Sequence, residues 1–166
     1  MKAMAGVGVP AHLPTVITAA DGLTRCRWAT ETGLDLIAYQ RDNFRAAFDG
    51  FDPAAVAAMT SRDVERLMTD TSIVRNRRKI EATVHNARVL SKHSLAQLVW
   101  QHQSGEQHRL RSWADGRMDS PESRRLSAAL REAGFRLVGP VVAHSFMQTV
   151  GVENGHFEGC FLSPDR

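Results

Sequence analysis

His156 and Cys160 stand near the C-terminal end of the chain, in Asn-Gly-His-Phe-Glu-Gly-Cys, separated by three residues. An imidazole nitrogen and a thiolate are both good zinc ligands, and Asn154-Gly155 supplies a turn that presents them. The spacing alone is a weak signal, because His-x3-Cys pairs arise often by chance. Cys26 is the only other cysteine. Adding it makes three potential ligands, one short of the four of a structural zinc site. From Cys26 to His156 is 156 − 26 = 130 residues. Closing so long a loop restricts the unfolded chain, by analogy with a disulfide, by roughly 4–5 kcal/mol. The sequence therefore suggests a zinc ion tying the two ends together. The plainer alternative is a buried cysteine at each end and a surface histidine.

A second cluster lies in Asp70-Thr71-Ser72-Ile73-Val74-Arg75-Asn76, followed by Arg77, Arg78 and Lys79. Backbone N–H groups at a turn and at a helix start can hold a phosphate without reading bases. Positive charge beside them strengthens that hold. Ser72, Arg75, Asn76, Arg77 and Lys79 are the candidate DNA contacts. The competing reading is an ordinary helical hairpin with a solvated basic face.

The elements that would position these groups are helices. Phe44, Ala47, Phe48 and Phe51 recur at i, i+3, i+4 and i+7 and predict a helix over 42–51. Asp52-Pro53 restarts the chain as cap and first-turn proline, for a short helix through Met59. Thr60, with Asp63 three residues on, begins the next, whose inner face is Val64, Leu67 and Met68. Residues 77–90 are helical with Ile80, Val84 and Ala87 inward, and a further helix is expected over His93–Gln103. Residues 104–120 read as a loop with Trp113 tucked in. Ser120-Pro121-Glu122 is a strong helix start, and Gly134 stops that helix. Residues 135–138 read as an extended link before a last helix that runs from Pro140 to Gly151. Its polar members, His144, Ser145 and Gln148, are expected to be satisfied core groups. No alternating strand pattern exceeds four residues, so the fold class is all-α.

The composition agrees with a soluble domain. The chain has 166 residues, 43% hydrophobic and 23% charged, with a net charge of +3. That length suits one domain with a real core, and the mild positive charge suits nucleic acid without demanding it. Two cysteines do not make a disulfide framework, so a reduced, cytoplasmic protein is the default. No apolar run approaches the roughly 20 residues of a membrane span. Residues 1–20 resemble a signal peptide only until Pro10, His12 and Pro14. They are read as a disordered extension or misassigned start, leaving 21–166 as the domain.

Several segments together resemble type I DNA-3-methyladenine glycosylases of the helix–hairpin–helix superfamily. They are Arg-Asp-Asn-Phe-Arg-Ala-Ala-Phe at 41–48, Phe-Asp-Pro-Ala-Ala-Val-Ala-Ala-Met at 51–59, Ile-Val-Arg-Asn-Arg-Arg-Lys-Ile at 73–80, Asn86-Ala87-Arg88, Gly-Phe-Arg-Leu-Val-Gly at 134–139 and Ser145-Phe146-Met147-Gln148. The 154–160 segment resembles the family's closing zinc motif, and Arg25-Cys26-Arg27-Trp28 its opening Arg-Cys-x-Trp. The match covers nearly everything after residue 20.

The resemblance implies base excision. The duplex is bent, the damaged nucleotide flips into a pocket, and 3-methyladenine is released by hydrolysis of its glycosidic bond. It also implies a monomer that acts on double-stranded DNA, no membrane, and structural Zn2+ held by Cys26, His156 and Cys160. Tyr39 is the implied base-pocket tyrosine.

The family follows that tyrosine with the fourth zinc ligand, in Tyr-His-Asp-x-x-Trp-Gly. Here Tyr39 is followed by Gln40-Arg41-Asp42. The chain resembles an internally deleted form that lacks the Trp-Gly element, a helix with a pocket glutamate, and the Gly-Leu-Ser-Trp stretch. Ser72 also replaces a glycine usual in the family hairpin, where φ > 0 would strain a residue with a Cβ. The readings to separate are a working glycosylase, a catalytically impaired DNA-binding relative, and an unrelated helical interaction domain.

Overall fold

The computed structural model describes residues 42–103, 110–112, 115–156, 158 and 160. Cys26, Tyr39, Trp113 and the 1–20 segment lie outside the described residues. Helix α1 occupies 42–47. A short turn at Asp49–Phe51 leads to α2 (Pro53–Ala58), α3 (Ser61–Thr69), α4 (Arg77–Leu90), α5 (Leu95–Trp100), α6 (Pro121–Glu132) and α7 (Pro140–Thr149). Among the described residues the only strand-like pairing is at Leu110, whose carbonyl accepts the Glu158 N–H at 2.7 Å. The described fold is all-α, and no helix in it is long and apolar enough to cross a membrane.

The helix starts follow their capping residues. Asp52 Oδ1 accepts the Ala55 N–H at 2.8 Å, with Pro53 opening α2. The Asp63 carboxylate takes both the N–H and the hydroxyl of Thr60 at 2.8 Å. Before α6, Ser120 and Ser123 each accept the other's backbone N–H, at 3.0 and 2.9 Å. Each of the backbone N–H bonds among these satisfies a donor that the helix itself leaves unpaired.

Two helix ends are built alike. After α6, Gly134 N–H reaches Arg131 O at 3.0 Å and Phe135 N–H reaches Leu130 O at 2.9 Å. After α7, Gly151 N–H reaches Gln148 O at 3.3 Å and Val152 N–H reaches Met147 O at 2.9 Å. Both glycines have positive φ, +97° and +78°. This pair of crossed bonds is the Schellman stop, in which the glycine reverses the chain and the next apolar residue folds back onto the helix. Phe135 and Val152 accordingly join the same buried cluster as Leu130 and Met147.

Three expectations are corrected. The helix predicted over 42–51 ends at 47, because Asp49, Gly50 and Phe51 all adopt left-handed φ (+51°, +67° and +61°). That reversal keeps Phe51 on the phenylalanine face: the Phe44–Phe48 and Phe48–Phe51 rings stack with centroids 6.4 and 5.4 Å apart. The helix expected over His93–Gln103 shrinks to Leu95–Trp100. Ser94 caps its start, and its end tightens into three-residue turns, His102 N–H to Val99 O and Gln103 N–H to Trp100 O. The 135–138 link is a turn, with Leu137 at φ +58°.

The core has two parts. One gathers Phe48, Phe51, Val56, Leu67, Ile73 and Ile80 around α1 to α4. The other gathers Val99, Leu126, Leu130, Phe146, Met147 and Val152 around α5 to α7. Helix α4 belongs to both, and Asn86-Ala87-Arg88 shows how. Asn86 exchanges two hydrogen bonds with the backbone of Arg136, at 3.0 and 2.8 Å. Ala87 is 2% exposed, which lets the helices close over it. Arg88 donates to the Ala57 and Met59 carbonyls at the open end of α2. His85 Nε2 adds a 2.9 Å contact to the Gly134 carbonyl.

Candidate nucleic-acid interface and metal loop

Helices α3 and α4 meet through the tight connection at 70–76. Asp70 shapes it: its carboxylate accepts the Ser72 hydroxyl at 2.6 Å and the Ser72 N–H at 2.8 Å. These two bonds, the hydroxyl first, hold the Asp70 carboxyl below its usual range. Ser72 stays out of the left-handed region, so the strain expected for a serine in place of glycine does not arise. Asn43 of α1 donates to the Ser72 carbonyl at 3.0 Å, and Ile73 is 3% exposed in the core below. The turn is thus fixed from both sides.

The five candidate DNA contacts have different fates. The Asn76 side chain caps α4 by accepting the Lys79 N–H at 3.2 Å. The Arg77 and Arg78 N–H groups, at the first two positions of α4, have no intrahelical acceptor and carry the positive end of the helix dipole. Arg75 is exposed, with no hydrogen-bond or ion-pair partner among the described residues. The Arg77 guanidinium is engaged instead: it forks onto both Glu65 oxygens at 2.8 Å and stands 3.8 Å from Glu81. That pairing raises the Arg77 pKa and lowers that of Glu65. Lys79 is half-buried and lines a small pocket with Phe44, Phe48 and Thr83. No periodicity signals the Arg77–Glu65 clamp, since its partners sit twelve residues apart on different helices.

His156 and Cys160 are brought together. Asn154 Oδ1 accepts the His156 N–H at 2.9 Å, the turn that the Asn-Gly pair suggests. His156 Nδ1 then lies 3.8 Å from Cys160 Sγ. Two such atoms on one tetrahedral zinc, at roughly 2.0 and 2.3 Å from the ion, would be roughly 3.5 Å apart. The pair therefore fits a shared ion. Among the described residues no three His, Cys, Asp or Glu side chains gather as a metal site. The third candidate, Cys26, lies outside them.

Behind this loop is a buried polar group that sequence reasoning did not assemble. Glu153 and His144 are 7% and 5% exposed, and their Oε2 and Nδ1 are 3.1 Å apart. Ser120 Oγ donates to the same oxygen at 3.0 Å. Burial pushes the Glu153 carboxyl up, but the His144 and Ser120 hydrogen bonds and the charges of His144 and Arg117 hold it below its ordinary value. His144 and Gln148 are satisfied core groups, as expected. Glu153, between two helix-stop residues and a turn, carries no signal of its own.

A cavity of about 470 Å3 lies between α2, α5, α7 and the C-terminal end of α4. Its walls include Ala54, Ala57, Leu90, Leu95 and Phe146, and no carboxylate lines it. Along the 14 residues of α4 it is about 20 Å from the hairpin.

A helical domain that presents a fixed turn and a helix start with cationic side chains has the outline of a nucleic-acid-binding domain. Comparison with known proteins narrows the class: the chain belongs to the methyladenine glycosylase family, which matches residues 28–163. It is 35% identical over 148 residues to DNA-3-methyladenine glycosylase 1 of Escherichia coli (strain K12), an overlap of 84% of this chain and 79% of that protein. With the DNA-3-methyladenine glycosylase of Haemophilus influenzae it shares 30% identity over 150 residues, 81% of this chain and 78% of the relative. A crystal structure of 3-methyladenine DNA glycosylase I superposes with a TM-score of 0.77 at 34% identity, covering 89% of this chain and 85% of the other. Another, of a glycosylase I variant in complex with 3-methyladenine, gives 0.72 at 27% identity, covering 88% and 81%.

Proposed function

We propose that this chain is a DNA-3-methyladenine glycosylase of base-excision repair, a hydrolase that removes 3-methyladenine from alkylated double-stranded DNA. The observation that carries this is a fixed α3–turn–α4 unit within a chain whose residues 28–163 match the family. In this reading the unit is a helix–hairpin–helix. Its turn and the first N–H groups of α4 take a phosphate, and Arg75 adds charge beside it. The damaged nucleotide turns out of the stack into a pocket that includes Tyr39. A 3-methylated adenine is cationic while attached to the sugar. When its C–N bond breaks it leaves as a neutral base, and water adds to the sugar carbon and releases a proton. No strong general acid is required, and an aromatic face can hold the cation.

Zinc has a structural part in this proposal. Cys26, His156 and Cys160 supply three ligands, and the ion joins the two ends of the domain. The protein is a cytoplasmic monomer.

A second reading has its own support: Tyr39 is followed directly by Gln40-Arg41, and the motifs of a pocket glutamate and tryptophan are missing. In that reading the chain binds DNA with impaired catalysis. Release of free 3-methyladenine from methylated DNA separates the two. Release at catalytic enzyme concentrations is expected. No release at an excess of enzyme, with DNA binding retained, would establish the second reading.

A further inference from the structure

Neither DNA contact nor metal ligation accounts for the buried hydrogen bonds behind the His156–Cys160 loop. Ser120, at the N-terminal cap of α6, donates to Glu153 Oε2 at 3.0 Å. His144 Nδ1 meets the same oxygen at 3.1 Å. Gln148 Nε2 lies 3.3 Å from His144 Nε2. An ionised carboxylate only accepts, so Ser120 Oγ and His144 Nδ1 both donate to Glu153. Gln148 extends the chain from the other ring nitrogen of His144.

Gln148 carries the chain to the loop. A Cβ built on Gly155 would lie 3.0 to 3.1 Å from Cδ, Cβ and Cγ of Gln148, so the side chain lies flat against the backbone just before His156. Two further charges lie near the buried pair in the segment before α6: His144 helps to lower the Asp119 carboxyl, after the Arg124 hydrogen bond, and Arg117 helps to lower that of Glu153. Asp119 is itself paired with Arg124 at 2.7 Å.

We propose that Ser120, Glu153 and His144 are positioning residues that act through Gln148 to hold the Gly155–His156 backbone so that His156 Nδ1 faces Cys160. The proposal rests on the zinc reading above. Outer partners that orient a metal ligand typically change metal affinity by about 10- to 100-fold, and a carboxylate–imidazole pair is a directional way to do so.

Zinc affinity of the full chain at pH 8, measured by competition with a chromophoric chelator, tests this alongside the melting temperature of the metal-free protein. Gln148→Met keeps the bulk and loses the bond to His144, and His144→Phe keeps a ring and loses the bonds to both Glu153 and Gln148. Both variants are expected to bind zinc about 10-fold more weakly than the parent. Affinities equal to the parent's would overturn the proposal. So would a deficit that only follows the loss in metal-free melting temperature, because that is packing alone. A parent that binds no zinc refutes the zinc reading and the proposal with it, an outcome distinct from a parent that binds and variants that match it.

Discussion

At the scale of single residues, Arg75 and Arg77 sit beside the same turn but face different partners. Arg75 is exposed with no partner among the described residues; on the proposed DNA contact, Arg75→Ala should lower the slope of log affinity against log salt by about 1. Arg77 is engaged by Glu65 at 2.8 Å. Glu65→Ala frees that guanidinium and removes a negative charge near the backbone, so it should tighten DNA binding at low salt. Fluorescence anisotropy with a methylated duplex measures both; weaker binding by Glu65→Ala would remove Arg77 from the interface.

Glu153 gives a pH prediction with a definite sign. Its folded pKa lies below the ordinary 4.5. Its contribution to stability is therefore complete above that value and is lost as pH falls through the lowered one. Glu153→Gln should be less stable than the parent at pH 7, and the gap should narrow as pH falls below the ordinary carboxyl value of 4.5. Thermal melts across that range check it. A constant gap would mean that the carboxylate is not ionised in the fold.

At the scale of elements, the stops and the rivet of α4 matter most. A Cβ on Gly151 would meet nothing within 4 Å, yet its φ is +78°. Gly151→Ala should therefore cost only the left-handed backbone, about 1–2 kcal/mol. Gly151→Asn should cost less, because asparagine tolerates that conformation. Asn86 satisfies both backbone groups of Arg136 from within α4. Asn86→Leu leaves a donor and an acceptor without partners where two core clusters meet. The expected loss is about 2–4 kcal/mol, read from the urea midpoint. A loss under about 0.5 kcal/mol, the range of an ordinary surface change, would show that the clasp is not needed.

At the scale of the whole molecule, the zinc reading predicts coupling between metal and fold. Metal analysis should find one zinc per chain. Chelation should lower the melting temperature, and Cys26→Ser should reproduce that loss without chelator. Such coupling follows because an ion held by both ends closes a loop of more than a hundred residues. A metal-free protein whose melting is unchanged by chelation would refute it.

The helices of this protein are largely legible in its sequence, and the reason is local. Asp52-Pro53, Ser120-Pro121, Gly134 and Gly151 act within four residues of themselves, so their types alone place starts and stops. The family resemblance is likewise written in short segments, and His156 and Cys160 stand close enough for one turn to join them. What tertiary structure alone decided is which groups meet across distance. It gives Arg77 to Glu65 rather than to solvent, ties Asn86 to a backbone fifty residues on, and gathers Ser120, His144, Glu153 and Gln148 into one buried chain. It also ends α1 early by a left-handed turn that returns Phe51 to the core. None of these has a sequence period, because each depends on two elements packing, and packing is set by the whole of both surfaces.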